Sequence, residues 1–218
     1  MSKPVVDIGR VGVWYGGIDA LRAPDARRAA QLIEELGYGA LWVAEAVGRD
    51  PFVSSAVLLA ATERLPLATG IANIYARDPM TMAAGQKTLA EAFPGRFLLG
   101  LGVSHGHLVA GVRKHDYSKP YSHMVEYLDR MDNALFMAQG PEHDPGRVLA
   151  ALGPKMLELS ASRANGAHPY FTTPDHTHTA RELILVSLRA DTEQLLLADA
   201  PLEVVGDVLF LFAERIDN

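Results

Sequence analysis

Four consecutive residues, Ser104-His105-Gly106-His107, put a hydroxyl, two imidazoles and a glycine directly after the apolar run Phe97 to Val103. Imidazole exchanges protons near neutral pH, a hydroxyl both donates and accepts hydrogen bonds, and glycine lets a ligand come close to the backbone. A second group is Gly153-Pro154-Lys155-Met156. A glycine turn with proline at a helix start leaves backbone N–H groups free to receive an anion, and Lys155 adds a positive charge. A third candidate is Glu45, the acid that closes the apolar segment Ala40 to Ala44. A His-x-His pair also suits a metal ion, but the loop offers no acidic ligand cluster, so no metal is expected. The same residues have a plainer reading: Gly100, Gly102 and Gly106 suit close packing and the histidines suit solvent.

These groups need elements to hold them. Phe93-Pro94-Gly95 stops a helical pattern, because proline breaks the helix ladder and glycine accepts turn dihedrals. Phe97 to Val103 is then apolar on both faces, the mark of a parallel strand covered by helices. Ser104 to His107 falls at its carboxyl end, the edge where parallel α/β sheets bind ligands. The same order recurs along the chain. A first strand spans Val5 to Trp14 and exits through Tyr15-Gly16-Gly17; a helix runs from Pro24 to Leu36; Ala40 to Ala44 is the second strand. Asp50-Pro51 opens a helix to Ala61, Leu65 to Ile74 is the third strand, and Asp78-Pro79 opens a helix to Ala92.

Past the polar loop at 104–119, Lys119-Pro120 opens a helix through Met137, with Met124, Leu128, Met131 and Leu135 on one apolar face. The loop 139–147 precedes a fifth strand, Val148 to Leu152, then a helix to Asn165-Gly166 and a sixth strand, Ala167 to Phe171. His168 reads as a core or rim histidine, and His176 and His178 as residues of a helix start. Six βα units at a spacing of about thirty residues predict a parallel sheet or barrel. A barrel of eight units takes about 250 residues, and only 38 follow Ala180. These hold one apolar run, Leu183 to Leu188, the candidate for a seventh strand, and amphipathic stretches at Thr192 to Ala198 and Leu202 to Ile216. The spacing therefore predicts an α/β fold, a parallel sheet or barrel that is abbreviated or incomplete at its carboxyl-terminal end, in a single domain over 1–218.

Composition excludes several classes. With 218 residues, 49% hydrophobic and 21% charged, the chain is an ordinary globular one with ample material for a core. A formal net charge of -6 without any basic run excludes an electrostatic nucleic-acid binder and favours a small-molecule partner. Cysteine is absent, which removes disulfides, thiolate nucleophiles and cysteine–zinc sites. No apolar run reaches membrane-spanning length and the amino terminus has no leader pattern, so the cytoplasm is the expected location.

Four stretches together carry a family likeness: VGVWYGG, ALWVAE, TGIANIYARDPMTMAAGQKTLAEAFPGRFLLGLGVSHGH and LAALGPKMLELSASRANGAHPYFTTP. In this order they resemble the luciferase-like monooxygenase superfamily, and within it the branch of oxidoreductases that use the deazaflavin coenzyme F420. The likeness covers residues 5–180; the tail 181–218 diverges. It implies a (β/α)8-type TIM barrel with a cofactor ring lying across the carboxyl ends of the strands. It also implies a non-proline cis peptide beneath that ring, at Gly70-Ile71 or a neighbouring bond, and cofactor contacts from Ser104, His105, Gly106 and His107 and from Gly153, Pro154, Lys155 and Met156. Glu45 matches an acidic position facing the cofactor. Several members carry histidine after that acid, where this chain has Ala46. His105 and Glu45 thus become the candidates for acid–base catalysis. The implied reaction is hydride transfer between F420 and a small organic substrate. An FMN-dependent monooxygenase of the same superfamily and a non-catalytic flavin-binding protein with a shortened barrel stay open as alternatives, as does a homo-oligomer.

Overall fold

A computed structural model of the chain describes residues 6–194. Its strands are short and all parallel: β1 (Val13–Trp14), β2 (Leu41–Val43), β3 (Leu67–Thr69), β4 (Ala72–Asn73), β5 (Phe97–Gly102) and β6 (Arg147–Leu149). Pairing runs β1-β2-β3-β5, with β4 and β6 also on β5. β3 and β4 are one barrel strand, interrupted by a cis peptide at Gly70-Ile71. The wall is therefore five barrel strands in sequence order, extended by a single bridge from Leu149 to Ala167, and it does not close among the described residues.

The helices follow local chemistry: α1 (Ala23–Glu35), α2 (Pro51–Leu59), α3 (Pro79–Ala92), α4 (Pro120–Asp132), α5 (Pro154–Arg163) and α6 (Pro174–Gln194). Two start on the same device, Asp-Pro. Asp50 Oδ1 accepts from the N–H groups of Phe52 at 2.9 Å and Val53 at 3.0 Å, and Asp78 Oδ1 does the same for Met80 and Thr81. Such a cap contributes about 1 kcal/mol, and proline at the first helical position has no N–H to leave unpaired.

Alternation along the strands separates two layers. Leu41, Val43, Leu67, Leu99, Leu101 and Leu149 point outward and pack beneath the helices, where Ala26, Leu58, Met82 and Leu128 meet them. Ala40, Trp42, Ala68, Leu98 and Val148 point inward with Val6 and Ile8. Close approach of β3 and β5 depends on Gly100, where any Cβ would collide with the Thr69 carbonyl oxygen. The Thr69 hydroxyl donates to Gly100 O and accepts from Gly100 N, both at 2.8 Å.

Two expectations for the carboxyl-terminal third are corrected. Ala167 to Phe171 is not a strand: Pro169 has no N–H for a ladder, Phe171 takes φ +57°, and only Ala167 pairs. Leu183 to Leu188 is not a seventh strand but part of α6. Ala180, Leu183 and Ile184, spaced three and one apart, pack on Ala151 and Leu157, a helical spacing that overrides the β-branched character of the run. α4 ends at Asp132 rather than Met137, leaving Leu135 exposed. The stretch at 202–216, part of that at 192–198, and Val5 lie outside the described residues.

The interior is closed by His168, buried at 2% exposure and stacked on Trp42 with ring centroids 4.4 Å apart. Burial lowers its pKa from 6.5 to about 4. The fold thus favours neutral imidazole, so the stabilisation is complete above pH 6.5 and is lost as pH falls through about 4. The loss should approach about 3 kcal/mol, read as a fall in Tm between those pH values. His168→Phe should flatten that limb; an unchanged pH profile in the variant would remove His168 as its source.

Candidate active site

The carboxyl ends of the strands gather around one buried carboxylate. Glu45 follows β2, and its side chain is 6% exposed. Its Oε2 accepts from the Asn73 backbone N–H at 2.7 Å and from Arg77 Nη1 at 2.8 Å, while Oε1 accepts from Arg77 Nη2 at 2.6 Å. Arg77 also donates to Asp50 Oδ2 at 3.0 Å, and its carbonyl accepts the Tyr127 hydroxyl at 2.9 Å. Burial alone would lower the Arg77 pKa, but the Glu45 partner, helped by Asp50, outweighs it and holds it above the usual value. A carboxylate held this way is an anchor; its oxygens are already occupied by donors.

Beside it lies the Gly70-Ile71 cis peptide, at the position that the family likeness indicates. Trp14 Nε1 donates to Gly70 O at 2.8 Å. A Cβ at Gly70 would meet Trp14 and His168 at 3.0 Å, and one at Gly102 would run into Ile71. The space under the cis bond is thus filled with side chains.

On the rim, Ser104 turns the chain after β5 with φ +58°. The His105 carbonyl accepts from Leu108 N at 3.0 Å and Val109 N at 2.9 Å, opening a π-helical turn, His107–Val112. His105 and His107 are exposed, with rings stacked 5.6 Å apart. Across Gly102, which neighbours Ala150, the chain leaves β6 into Gly153, the N-cap of α5. Gly153, Pro154 and Lys155 are exposed, Met156 is half-buried, and nothing lies within 4 Å of where a Gly153 Cβ would be. That first helical turn, open and flanked by an ammonium, fits a phosphate. The structure therefore brings Gly70, Ile71 and Ser104 to His107 to one edge through Gly102, and sets Glu45 beneath it.

The sequence alone missed Arg77, Asn73 and Arg113. Arg113 ends the π-helical turn and donates to Ala46 O at 3.1 Å, tying the loop after β5 to the loop after β2. A cleft of about 550 Å³ lies there, lined by Ala46, Val47, Arg77, Val112 and Arg113 among others. A cleft of similar volume between α1 and α2 carries none of the candidate groups. Among the described residues no group of three or more acidic or histidine side chains is placed to hold a metal ion, and no helix is long and apolar enough to cross a membrane.

The family model described as luciferase-like monooxygenase matches residues 7–190. The chain belongs to the luciferase-like monooxygenase family. A relative from Mycobacterium tuberculosis named "Putative coenzyme F420-dependent oxidoreductase Rv3520c" is 29% identical over 171 residues, which cover 65% of this chain and 49% of the relative. The chain thus spans about half the length of that relative. Among solved structures, an F420-dependent secondary alcohol dehydrogenase in complex with an F420-acetone adduct superposes with TM-score 0.72 at 16% identity, over 85% of this chain and 64% of its own. The FMN-bound oxygenating constituent of 3,6-diketocamphane monooxygenase from Pseudomonas putida gives TM-score 0.67 at 13% identity, over 83% and 62%. Both share the parallel α/β fold.

Because Glu45 neutralises a buried guanidinium, Glu45→Ala should cost about 3–5 kcal/mol of stability, measured by urea unfolding. A loss below about 1 kcal/mol, the range of an exposed pair, would show that the ion pair does not hold this edge together.

Proposed function

We propose that the chain is the cofactor-binding part of an oxidoreductase that transfers hydride between F420 and a small organic substrate. The observation that carries this reading is a rim with exposed imidazoles on one side and an open, lysine-flanked helix start on the other, in a chain whose relatives by sequence and by fold include proteins named for F420. When bound, F420 supplies the carbon that gives or takes the hydride, and the protein supplies binding, orientation and proton transfer.

Each residue has a defined task. The backbone N–H and the ammonium of Lys155 bind the cofactor phosphate, with Gly153, Pro154 and Met156 shaping the turn, where the Met156 and Leu157 N–H groups already donate to Gly153 O. Gly70 and Ile71 support the ring from below, and Ser104, Gly106 and His107 border it. His105 moves a proton through a ring nitrogen, in the absence of any titrating group at Ala46. Glu45 works indirectly: it fixes Arg77 and the Asn73 backbone, and so the loops on which the rim stands. The 1–218 chain is one luciferase-like domain acting on a small molecule in the cytoplasm.

FMN-dependent oxygenation is the second reading, favoured by the likeness to an FMN-bound monooxygenase; the phosphate site serves both cofactors equally.

Two substitutions test the assignment. Lys155→Ala should weaken F420 binding about tenfold, the loss of one charge-assisted contact, in a fluorescence titration, with Tm unchanged. His105→Ala should lower hydride-transfer turnover by about 10²–10⁴ and leave cofactor affinity nearly constant. Unchanged affinity in the first, or unchanged turnover in the second, would remove that residue from its role.

A further inference from the structure

The loop that carries His105 is held from two sides by one residue of the 104–119 loop. The Tyr117 hydroxyl donates to the Ser104 carbonyl at 3.0 Å. The Tyr117 ring lies against Gly106, where an added Cβ would meet Cδ1 at 3.4 Å and Cε1 at 3.6 Å. The two grips fall on the residues immediately before and after His105. Ser104 itself is in a left-handed conformation, φ +58°, which is disfavoured for a residue with a Cβ. Such a conformation persists only where its surroundings impose it. The Tyr117 ring is itself buttressed by Tyr75, just beyond β4, at a centroid distance of 5.6 Å.

We propose that Tyr117 is a positioning residue for His105: its hydroxyl holds Ser104 in the left-handed turn, its ring supports Gly106, and together they aim the imidazole across the rim. The catalytic consequence rests on the function proposed above; the clamp itself does not. Burial raises the Tyr117 pKa, so the hydroxyl stays a donor over the whole range in which histidine titrates. The chain from Tyr75 through Tyr117 to Ser104 also joins the end of β4 to the end of β5, so that the loop bearing His105 is registered against the strand bearing the cis peptide.

Tyr117→Phe keeps the ring and deletes only the hydroxyl. Loss of one hydrogen bond should lower Tm by about 2–4 °C, which leaves the fold intact. In cofactor-free protein, the His105 ring Cε1–H signal in a ¹H–¹³C NMR spectrum should shift and broaden, while those of His143 and His178 stay fixed. Tyr117→Leu, which also withdraws the ring from Gly106 and Tyr75, should move the His105 signal further. In turnover, Tyr117→Phe should reduce kcat by about ten- to a hundredfold, the scale of a small misplacement of a reacting group, with KM changed less than about twofold. A His105 signal unmoved in both variants would overturn the clamp whatever the cofactor. A moved signal in a protein that does not bind F420 would uphold the clamp and defeat the F420 reading instead. A fall confined to KM, with kcat intact, would overturn the positioning role.

Discussion

The carboxyl edge of this barrel wall depends on a buried carboxylate that meets its complement from another strand. Glu45 follows β2; Asn73 ends β4, and Arg77 lies in the loop beyond it. Three donors satisfy one anion, so that neither the acid nor the guanidinium is left buried and uncompensated, which is the condition under which such pairs are tolerated. Consequences spread from there. Arg77 reaches the Asp50 carboxylate that caps α2, and its carbonyl receives Tyr127 from α4. Arg113 comes within 3.8 Å of Glu45 from the far loop. One charge centre thereby fixes the exits of two barrel strands and the start of a helix, and the histidine loop is built onto that frame.

A second constraint acts below the rim. Gly70, Gly100 and Gly102 let three barrel strands approach until side chains fill the interior, with Trp14, Trp42 and His168 in the middle. A filled interior pushes ligand chemistry to the loops, as barrel architecture generally does. The rim loops then differ in their local surroundings. Ser104 is strained and clamped, whereas Gly153 opens onto free space at the head of α5.

Much of this was legible in the residues, and the reason is local. Asp78-Pro79 and Phe93-Pro94-Gly95 punctuate α3 strongly enough to set its ends, and the apolar run after them could only be a doubly covered strand. The cis peptide at Gly70-Ile71 was accessible through family likeness, not through propensity. What escaped was tertiary. Glu45 and Arg77 are 32 positions apart, and no spacing rule pairs residues on different strands. Tyr117 gave no signal within the 104–119 loop because its target is a backbone carbonyl that any sequence would offer. The sixth strand failed on Pro169, whose missing N–H was visible, and the seventh failed because Ile184 and Val186 suggested a strand while the spacing of Ala180, Leu183 and Ile184 served a helix.

Proteins of like fold include one named for F420 and one bound to FMN, and the function proposed above stands on the deazaflavin. Its most direct test is a competition on the unmodified protein: titrate with F420, follow the ring fluorescence, then displace with FMN. The account predicts saturable F420 binding that FMN displaces only at a concentration at least about tenfold higher, a difference of 1.4 kcal/mol or more. Tighter binding of FMN, or binding of neither, would contradict it.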